Sequence, residues 1–205
     1  MSQIFIKLGR VFTGHQRDVS SVAFSPDEKM LISGGGDQQA RIWSKESREA
    51  VKVLNHGSWI NAVAMARGVP VAATAARDGM VKLWNLASGA VIDSVQAHQA
   101  NATTVAFFPD GMRLITGGQE GKVKFYSLRQ KKFEADVQAH SGWVWRVTTS
   151  ESGNQLLTAG ADRIARVWLL GRKEPPVALK GHEGEVVYGS FSRDGLLAAT
   201  CDKTG

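Results

Sequence analysis

The sequence predicts an all-β fold built from a repeated four-stranded sheet, and three observations lead to this prediction. All 5 histidines of the 205-residue chain fall 41 or 42 residues apart. A hydroxyl residue, an acidic residue and an aromatic residue recur in phase with them. Each period also holds short runs of β-forming residues separated by turn signals, and no run is long enough to predict a helix. A period of about 42 residues with four short strands is typical of one blade of a β-propeller.

The histidines divide the chain into repeats of nearly equal length. They are His15, His56, His98, His140 and His182. Repeats that start at or beside each histidine cover about residues 14–55, 56–97, 98–139, 140–181 and 182–205, the last of them incomplete. Residues 1–205 are therefore expected to form a single propeller domain.

Three further positions complete the repeated pattern. A serine or threonine lies 18 residues after the histidine, an acidic residue 22 after it and an aromatic residue 28 after it. In the four complete repeats these residues are Ser33, Asp37 and Trp43; Thr74, Asp78 and Trp84; Thr116, Glu120 and Tyr126; and Thr158, Asp162 and Trp168. The fifth repeat continues with Thr200 and carries Thr204 at the acidic position.

The dipeptides at the repeat boundaries resemble the signature of WD-repeat β-propellers. Gly14-His15 and Gly181-His182 are similar to its Gly-His element, and Ile42-Trp43 is similar to the start of its Trp-Asp element. The resemblance covers nearly the whole chain, from about residue 11 onward. It departs from the family where Asn55, Ala97 and Ala139 precede the histidine, and where Ser44, Asn85 and Leu169 follow the tryptophan.

The resemblance implies a structural role for the repeated polar residues. In WD-repeat proteins the acidic residue, the histidine, the hydroxyl residue and the tryptophan form a hydrogen-bonded tetrad inside each blade, which pairs buried polar groups and sets strand register. The four complete sets given above are therefore expected to be tetrads. Glu120 and Tyr126 depart from the family pattern, so the third tetrad is expected to be weaker.

A catalytic interpretation of the same residues is less favoured. His15, Ser33 and Asp37 have the residue types of a base, a nucleophile and an orienting acid. The set recurs in every complete repeat, however, whereas an enzyme needs one site. The histidines, one to a blade, are not expected to converge on a metal ion. We therefore predict no catalytic residue, metal site, cofactor or small-molecule substrate.

Three tryptophans lie outside the tetrad position, at the start of the innermost predicted strand of their repeats. In the resembling family, the residues on either side of the first buried residue of that strand face the narrow top surface. The residue before the repeated acidic position also faces it, and Lys203 has that place in the fifth repeat. The resemblance implies a partner-binding surface made of Asp18, Trp59, Asn61, Arg77, Trp143, Trp145 and Glu185. The alternative is that the tryptophans pack against neighbouring blades.

The chain length bears on how many blades are expected. A seven-bladed ring with this period needs about 290 residues. The sequence therefore predicts four complete blades with partial strands at both ends, near 4–12, 186–192 and 196–201, as in a truncated seven-bladed ring. Closure of five blades, or completion by a second chain, are the alternatives.

The sequence favours a protein-interaction scaffold that binds other proteins through the top surface and central channel. The net charge of +6 and a pI of about 9.6 leave a nucleic-acid-associated basic propeller as one alternative. A non-catalytic fragment of a larger multidomain protein is another. The single cysteine and the lack of a long apolar run or signal segment favour an intracellular, cytoplasmic location without a membrane partner.

Overall fold

A computed structural model describes residues 11–44, 46–47 and 49–205, and it confirms the all-β prediction. Among these residues no helix is long and apolar enough to cross a membrane. The strand predicted near residues 4–12 lies mostly outside the described residues. Phe12 is not in a strand, and its ring centroid lies 5.3 Å from that of Trp43.

The strands form five antiparallel sheets that follow each other along the chain. Sheet 1 contains β1 (Val19–Phe24), β2 (Met30–Gly35), β3 (Gln39–Ser44) and β4 (Lys52–Asn55). Sheet 2 contains β5 (Ile60–Met65), β6 (Val71–Ala76), β7 (Met80–Asn85) and β8 (Val91–Gln96). Sheet 3 contains β9 (Ala102–Phe107), β10 (Arg113–Gly118), β11 (Lys122–Ser127) and β12 (Lys132–Gln138). Sheet 4 contains β13 (Val144–Thr149), β14 (Gln155–Gly160), β15 (Ala165–Leu169) and β16 (Val177–Leu179). Sheet 5 contains β17 (Val186–Phe191) and β18 (Ala198–Asp202).

Tight turns join the strands where the sequence supplies residues that tolerate a left-handed backbone. Gly111 and Gly153, between the first and second strands of sheets 3 and 4, have φ angles of 67° and 71°. Only glycine adopts this conformation at little cost, so these turns end one strand and direct the chain into the next. The result is a simple up-and-down order of strands in each sheet.

Successive sheets pack face to face through small residues. A Cβ added at Gly34 in β2 would overlap the side chains of Ile60 and Val63 in β5. Likewise, a Cβ at Gly117 in β10 would overlap the side chain of Val144 in β13. Close packing of this kind buries the first strand of each following sheet, and Ile60 and Val144 are fully buried.

The first strands of the five sheets, β1, β5, β9, β13 and β17, lie side by side and are called the inner strands here. Each pairs with the second strand of its sheet through a register shift just after its first residue. The shift leaves one extra residue unpaired, as in a β-bulge, and a bulge re-aims side chains. The five bulge residues are Ser20, Asn61, Thr103, Trp145 and Val187.

Each repeat histidine lies on the segment that enters an inner strand, and His56, His98 and His140 each bond to two sheets. The backbone N–H of His98 donates to the Gly79 carbonyl of sheet 2 at 3.1 Å, whereas its ring bonds to Thr116 of sheet 3 at 2.8 Å. The backbone N–H of His140 donates in the same way to the Gly121 carbonyl of sheet 3. The backbone of each of these two histidines is therefore hydrogen-bonded to one sheet, and its side chain is hydrogen-bonded to the next sheet.

Candidate functional site

The repeated polar residues form continuous hydrogen-bond chains inside sheets 1 and 4. In sheet 4, His140 Nδ1 donates to Asp162 at 2.8 Å, and the Thr158 hydroxyl pairs with His140 Nε2 at 2.8 Å. The indole N–H of Trp168 then donates to Thr158 Oγ1 at 3.1 Å. In sheet 1, His15, Ser33, Asp37 and Trp43 make the same set of bonds over 2.7–3.0 Å.

The histidine of sheet 2 is oriented differently. His56 pairs with Thr74 through Nδ1 at 2.7 Å, and Trp84 donates to the same hydroxyl. Among the described residues its Nε2 is buried without a hydrogen-bond partner, and it lies 3.7 Å from Asp78. At the equivalent of Ala76, sheets 3 and 4 have glycines, and a Cβ there would overlap the histidine Nδ1. We infer that the methyl group of Ala76 turns the fully buried ring of His56, whereas the ring of His182, which is 20% exposed, keeps the other orientation beside the Cβ of Asp202.

The third set also departs from the predicted tetrad. His98 bonds to Glu120 at 2.6 Å and to Thr116 at 2.8 Å, as expected from the pattern. The Tyr126 hydroxyl, however, donates to Asp93 in β8 of sheet 2 and not to Thr116. A phenol reaches farther from the backbone than an indole N–H, so Tyr126 passes the threonine and contacts the neighbouring sheet. The prediction that Tyr126 closes a tetrad is corrected accordingly.

In sheet 5 the acidic partner of the histidine is Asp202. Its carboxylate accepts from His182 Nδ1 at 2.8 Å, and Thr200 pairs with Nε2 at 2.8 Å. The repeat pattern assigns Thr204 to the acidic position. Asp202 replaces Thr204 as the partner of His182. It occupies the position at which sheets 1, 3 and 4 have glycine, and from there its side chain reaches the His182 ring.

The hydroxyl residues of the four complete sets are buried. Thr74, Thr116 and Thr158 are fully buried and Ser33 is 4% exposed. Burial also lowers the pKa of His98 and His140, and it lowers the pKa of His56 to about 4. No cluster of three or more metal-ligating side chains occurs in the part of the chain that the structure describes.

Stability is expected to fall as the pH is lowered from neutral, because the folded protein keeps these histidines neutral. The unfolded chain takes up protons near the ordinary histidine pKa of about 6.5. It therefore binds more protons than the folded state between that pKa and about 4, where His56 titrates. Between about pH 7.5 and about pH 5, His56 alone should lower the free energy of unfolding by about 2 kcal/mol. Urea unfolding followed by tryptophan fluorescence measures this change, and His56→Gln should remove that part of it; an unaltered pH slope would contradict the assignment.

The predicted partner surface is organised by the starts of the inner strands. Successive inner strands are linked by the bulge residues and their neighbours. Trp59 donates to Ser20 Oγ at 3.0 Å, Asn61 donates to the Ala102 carbonyl at 2.9 Å, and Thr103 donates to the Val144 carbonyl. Side chains at this end of the strands therefore connect the sheets as well as facing outward.

Four residues from sheets 4 and 5 form what we call the tryptophan cluster: Trp143, Trp145, Glu185 and Lys203. The two indole rings lie 4.7 Å apart between centroids, at 30° to each other, and both are half-buried. Trp145 Nε1 donates to Glu185 at 2.8 Å, and Lys203 Nζ lies 2.6 Å from the same carboxylate and 4.5 Å from the Trp145 ring. The hydrogen bond from Lys203 is the main cause that holds the pKa of Glu185 below its ordinary value, and Trp145 contributes as well.

Trp143 is the member of this cluster whose polar group is not used. Its indole N–H has no hydrogen-bond partner among residues 11–44, 46–47 and 49–205. The ring is held in place by stacking on Trp145, which is itself fixed by Glu185. The arrangement presents a rigid aromatic surface with an unused donor.

The other predicted surface residues lie apart from the tryptophan cluster. The Arg77 guanidinium stacks 3.9 Å from the Trp59 ring, and that ring covers Gly36 so closely that a Cβ there would overlap it. Trp59 thus packs against sheet 1 as well as facing Arg77. Asn61 is used in the bond to sheet 3, and the side chain of exposed Asp18 makes no hydrogen bond or ion pair with either group among the described residues. The structure brings together Trp59 with Arg77, and Trp143 with Trp145 and Glu185.

Two residues near these groups were not identified by the sequence pattern. Arg146 and Tyr188 follow the bulge residues of β13 and β17, and they stack with the guanidinium carbon 4.7 Å from the phenol ring. The sequence contains one sign of Arg146. The equivalent positions of the first three repeats hold the small residues Ser21, Ala62 and Thr104, whereas the fourth repeat has a long cationic side chain.

Comparison with known proteins gives one family match and several relatives. The family described as "WD domain, G-beta repeat" matches residues 6–44, 48–85, 89–127 and 131–168. The chain is similar to a coronin-like protein of Saccharomyces cerevisiae, 29% identical over 117 residues, covering 56% of this chain and 18% of the relative. It is 26% identical over 121 residues to a guanine nucleotide-binding protein subunit beta of Oryza sativa subsp. indica, covering 55% and 32%. It is 32% identical over 102 residues to the nuclear distribution protein nudF of Aspergillus niger, covering 49% and 23%. The matches thus span less than a third of the length of these relatives.

Proposed function

This chain belongs to the WD-repeat family, and on that basis we propose that it is a protein-interaction scaffold that binds partners at the tryptophan cluster. The family and the relatives support a scaffold role in general. Several relatives are named as beta subunits of guanine nucleotide-binding proteins, that is, as parts of larger assemblies. The binding surface and the partner's chemistry are our own proposals.

The proposal rests mainly on one observation, the stacked ring and unused indole N–H of Trp143. A half-buried indole with an unused N–H, stacked on a second indole that is itself fixed, can bind a partner without first losing much side-chain freedom. Tryptophan is the residue type most enriched where truncation weakens protein complexes strongly. Trp59 and Arg77 provide a second aromatic and cationic contact on the same end of the inner strands.

Nucleic-acid binding is less well supported, because the basic residues are spread along the chain and six of the described ones are paired with carboxylates. The pairs are Arg41 with Asp37, Arg67 with Glu151, Arg113 with Asp110, Lys122 with Asp136, Arg166 with Asp162 and Lys203 with Glu185. Phosphate backbones are bound by unpaired cations gathered on one face.

Affinity capture with the purified chain tests the proposal. Proteins retained from a lysate of the source cells are quantified for the unchanged chain, for Trp143→Ala and for Ile92→Ala. Ile92 is 38% exposed on the outer strand β8, away from the cluster, and serves as the matched control. We expect Trp143→Ala to weaken capture of the same proteins by about thirtyfold, as for a residue that contributes about 2 kcal/mol, and Ile92→Ala to leave it unchanged.

Two results would contradict the proposal. One is equal capture by all three proteins while circular dichroism shows each of them folded. The other is loss of capture after nuclease treatment, which would assign binding to nucleic acid.

A further inference from the structure

The inner strands enclose a polar cavity of about 380 Å³. All five contribute to its wall, and the bulge residues line it because the register shift turns them toward it. Polar and charged side chains of the wall include those of Ser20, Ser21, Asn61, Thr104, Arg146 and Tyr188. Trp145 also lines the cavity, so the cavity and the tryptophan cluster are continuous.

The cavity wall carries hydroxyl groups whose protons are not used in hydrogen bonds among the described residues. Ser20 Oγ accepts from Trp59, Ser21 Oγ accepts from the Val63 N–H, and Thr104 Oγ1 accepts from the Val147 N–H. Within the described part of the chain, none of these three hydroxyls donates its own proton to an acceptor. Their protons are therefore available to a group that enters the cavity.

The cavity also carries one unneutralised positive charge. The Arg146 guanidinium stacks on Tyr188, its Nε is buried without a hydrogen-bond partner, and no carboxylate of the described residues lies within ion-pair distance of it. None of the lining residues is acidic. Glu185, the nearest acid of the tryptophan cluster, is already paired with Lys203. A partly buried cation without a counter-ion is an unfavourable arrangement, and an anionic ligand would provide the missing charge.

We propose that this cavity binds a carboxylate, supplied by an aspartate or glutamate side chain of the partner segment that contacts the tryptophan cluster. The inference rests on the proposed scaffold function and names the chemistry of its partner. The single guanidinium matches a monoanion, with the three hydroxyl protons completing the carboxylate's hydrogen bonds. A phosphorylated side chain carries about two negative charges and is bound by clusters of arginines, whereas this wall has one cation.

Nuclear magnetic resonance titration of the full chain tests the proposal directly. The probes are N-acetylglutamate amide, the uncharged N-acetylglutamine amide, and inorganic phosphate, all at equal ionic strength. The signals followed are the Arg146 Nε–H and the Trp145 indole N–H. We expect a saturable shift with the glutamate compound, and at least about tenfold weaker responses with the other two.

Arg146→Gln should abolish the response at Trp145, and Arg67→Gln should not. Arg67 is an exposed arginine paired with Glu151 outside the cavity, and it is the matched control. Equal responses to the glutamate and glutamine compounds, saturation by phosphate instead, or an unchanged response in Arg146→Gln would overturn the carboxylate assignment. If partner capture depends on Trp143 but the titration shows no binding of the glutamate compound, the scaffold function is retained and only the carboxylate inference is rejected. A titration that depends on Arg146, without capture that depends on Trp143, would refute the binding surface proposed above.

Discussion

Asp162→Ala is expected to lower the free energy of unfolding by about 3 kcal/mol. The carboxylate is 9% exposed and accepts from His140 Nδ1 and from Arg166, each at 2.8 Å. The His140 side chain is fully buried, so removal of Asp162 leaves a buried N–H and a nearby guanidinium without their acceptor. Chemical denaturation of the purified variant measures the change.

Asp78→Ala is the matched control for this prediction. Asp78 holds the equivalent position in sheet 2, but it is 39% exposed and 3.7 Å from His56 Nε2, beyond hydrogen-bond distance. Its removal should lower the free energy of unfolding by less than about 1 kcal/mol. Equal losses in the two variants would show that the acidic residues act through something other than these hydrogen bonds.

Gly160→Ala is expected to lower the free energy of unfolding by about 4 kcal/mol. A Cβ at this position would overlap Nδ1, Cγ and Cβ of His140. Overpacking of a buried site costs about 1–3 kcal/mol, and a displaced ring also loses its bond to Asp162. Thermal and urea unfolding of the variant measure the loss.

Gly142→Ala provides a control in the same segment. The nearest neighbour of a Cβ there is the Ala161 methyl group at 3.3 Å, and the residue is not in a left-handed conformation. This change should alter stability by less than about 0.5 kcal/mol. The ring nitrogen chemical shifts of His140 add a second readout, since Gly160→Ala should give it the reversed orientation of His56. A Gly160→Ala protein with native stability and an unmoved His140 would refute the explanation given for sheet 2.

The period of the histidines was sufficient to predict the all-β class and the order of the strands. This succeeded because each position of the repeat has one environment: the residue 18 after the histidine is buried beside the ring in all four complete sheets, as Ser33 and Thr158 illustrate. The last two strands were predicted at 186–192 and 196–201, and they are found at Val186–Phe191 and Ala198–Asp202. The sequence pattern predicts the strand positions because buried positions tolerate few residue types.

The hydrogen-bond partners and ring orientations within the polar sets could not be predicted from the sequence. In sheet 2 the reversed ring of His56 accompanies one methyl group, that of Ala76, and an alanine in a strand does not by itself signal this effect. The partner of Tyr126 depends on how far sheet 2 lies from sheet 3. Distances between sheets follow from three-dimensional packing, which a one-dimensional pattern does not specify.

The candidate site was predicted only in part for the same reason. Position in the repeat identified Trp143, Trp145 and Glu185, which the structure brings together. The cavity beside them is formed by five strands that are far apart in sequence, and its charge comes from Arg146, a single departure from the repeat. Residues that depart from a repeat carry individual properties, and their neighbours must be known before those properties can be interpreted.

The position of each histidine between two sheets has a consequence for how the protein opens. His98 and His140 bond through the backbone to one sheet and through the ring to the next, so their energy belongs to the interface between neighbours. In a linear array of coupled units, interface energies set the cooperativity of unfolding, whereas energies within a unit set only its own stability. We therefore expect a proton or a mutation at His98 or His140 to lower the opening energy of two adjacent sheets at once, and amide hydrogen exchange to proceed by pairs of sheets.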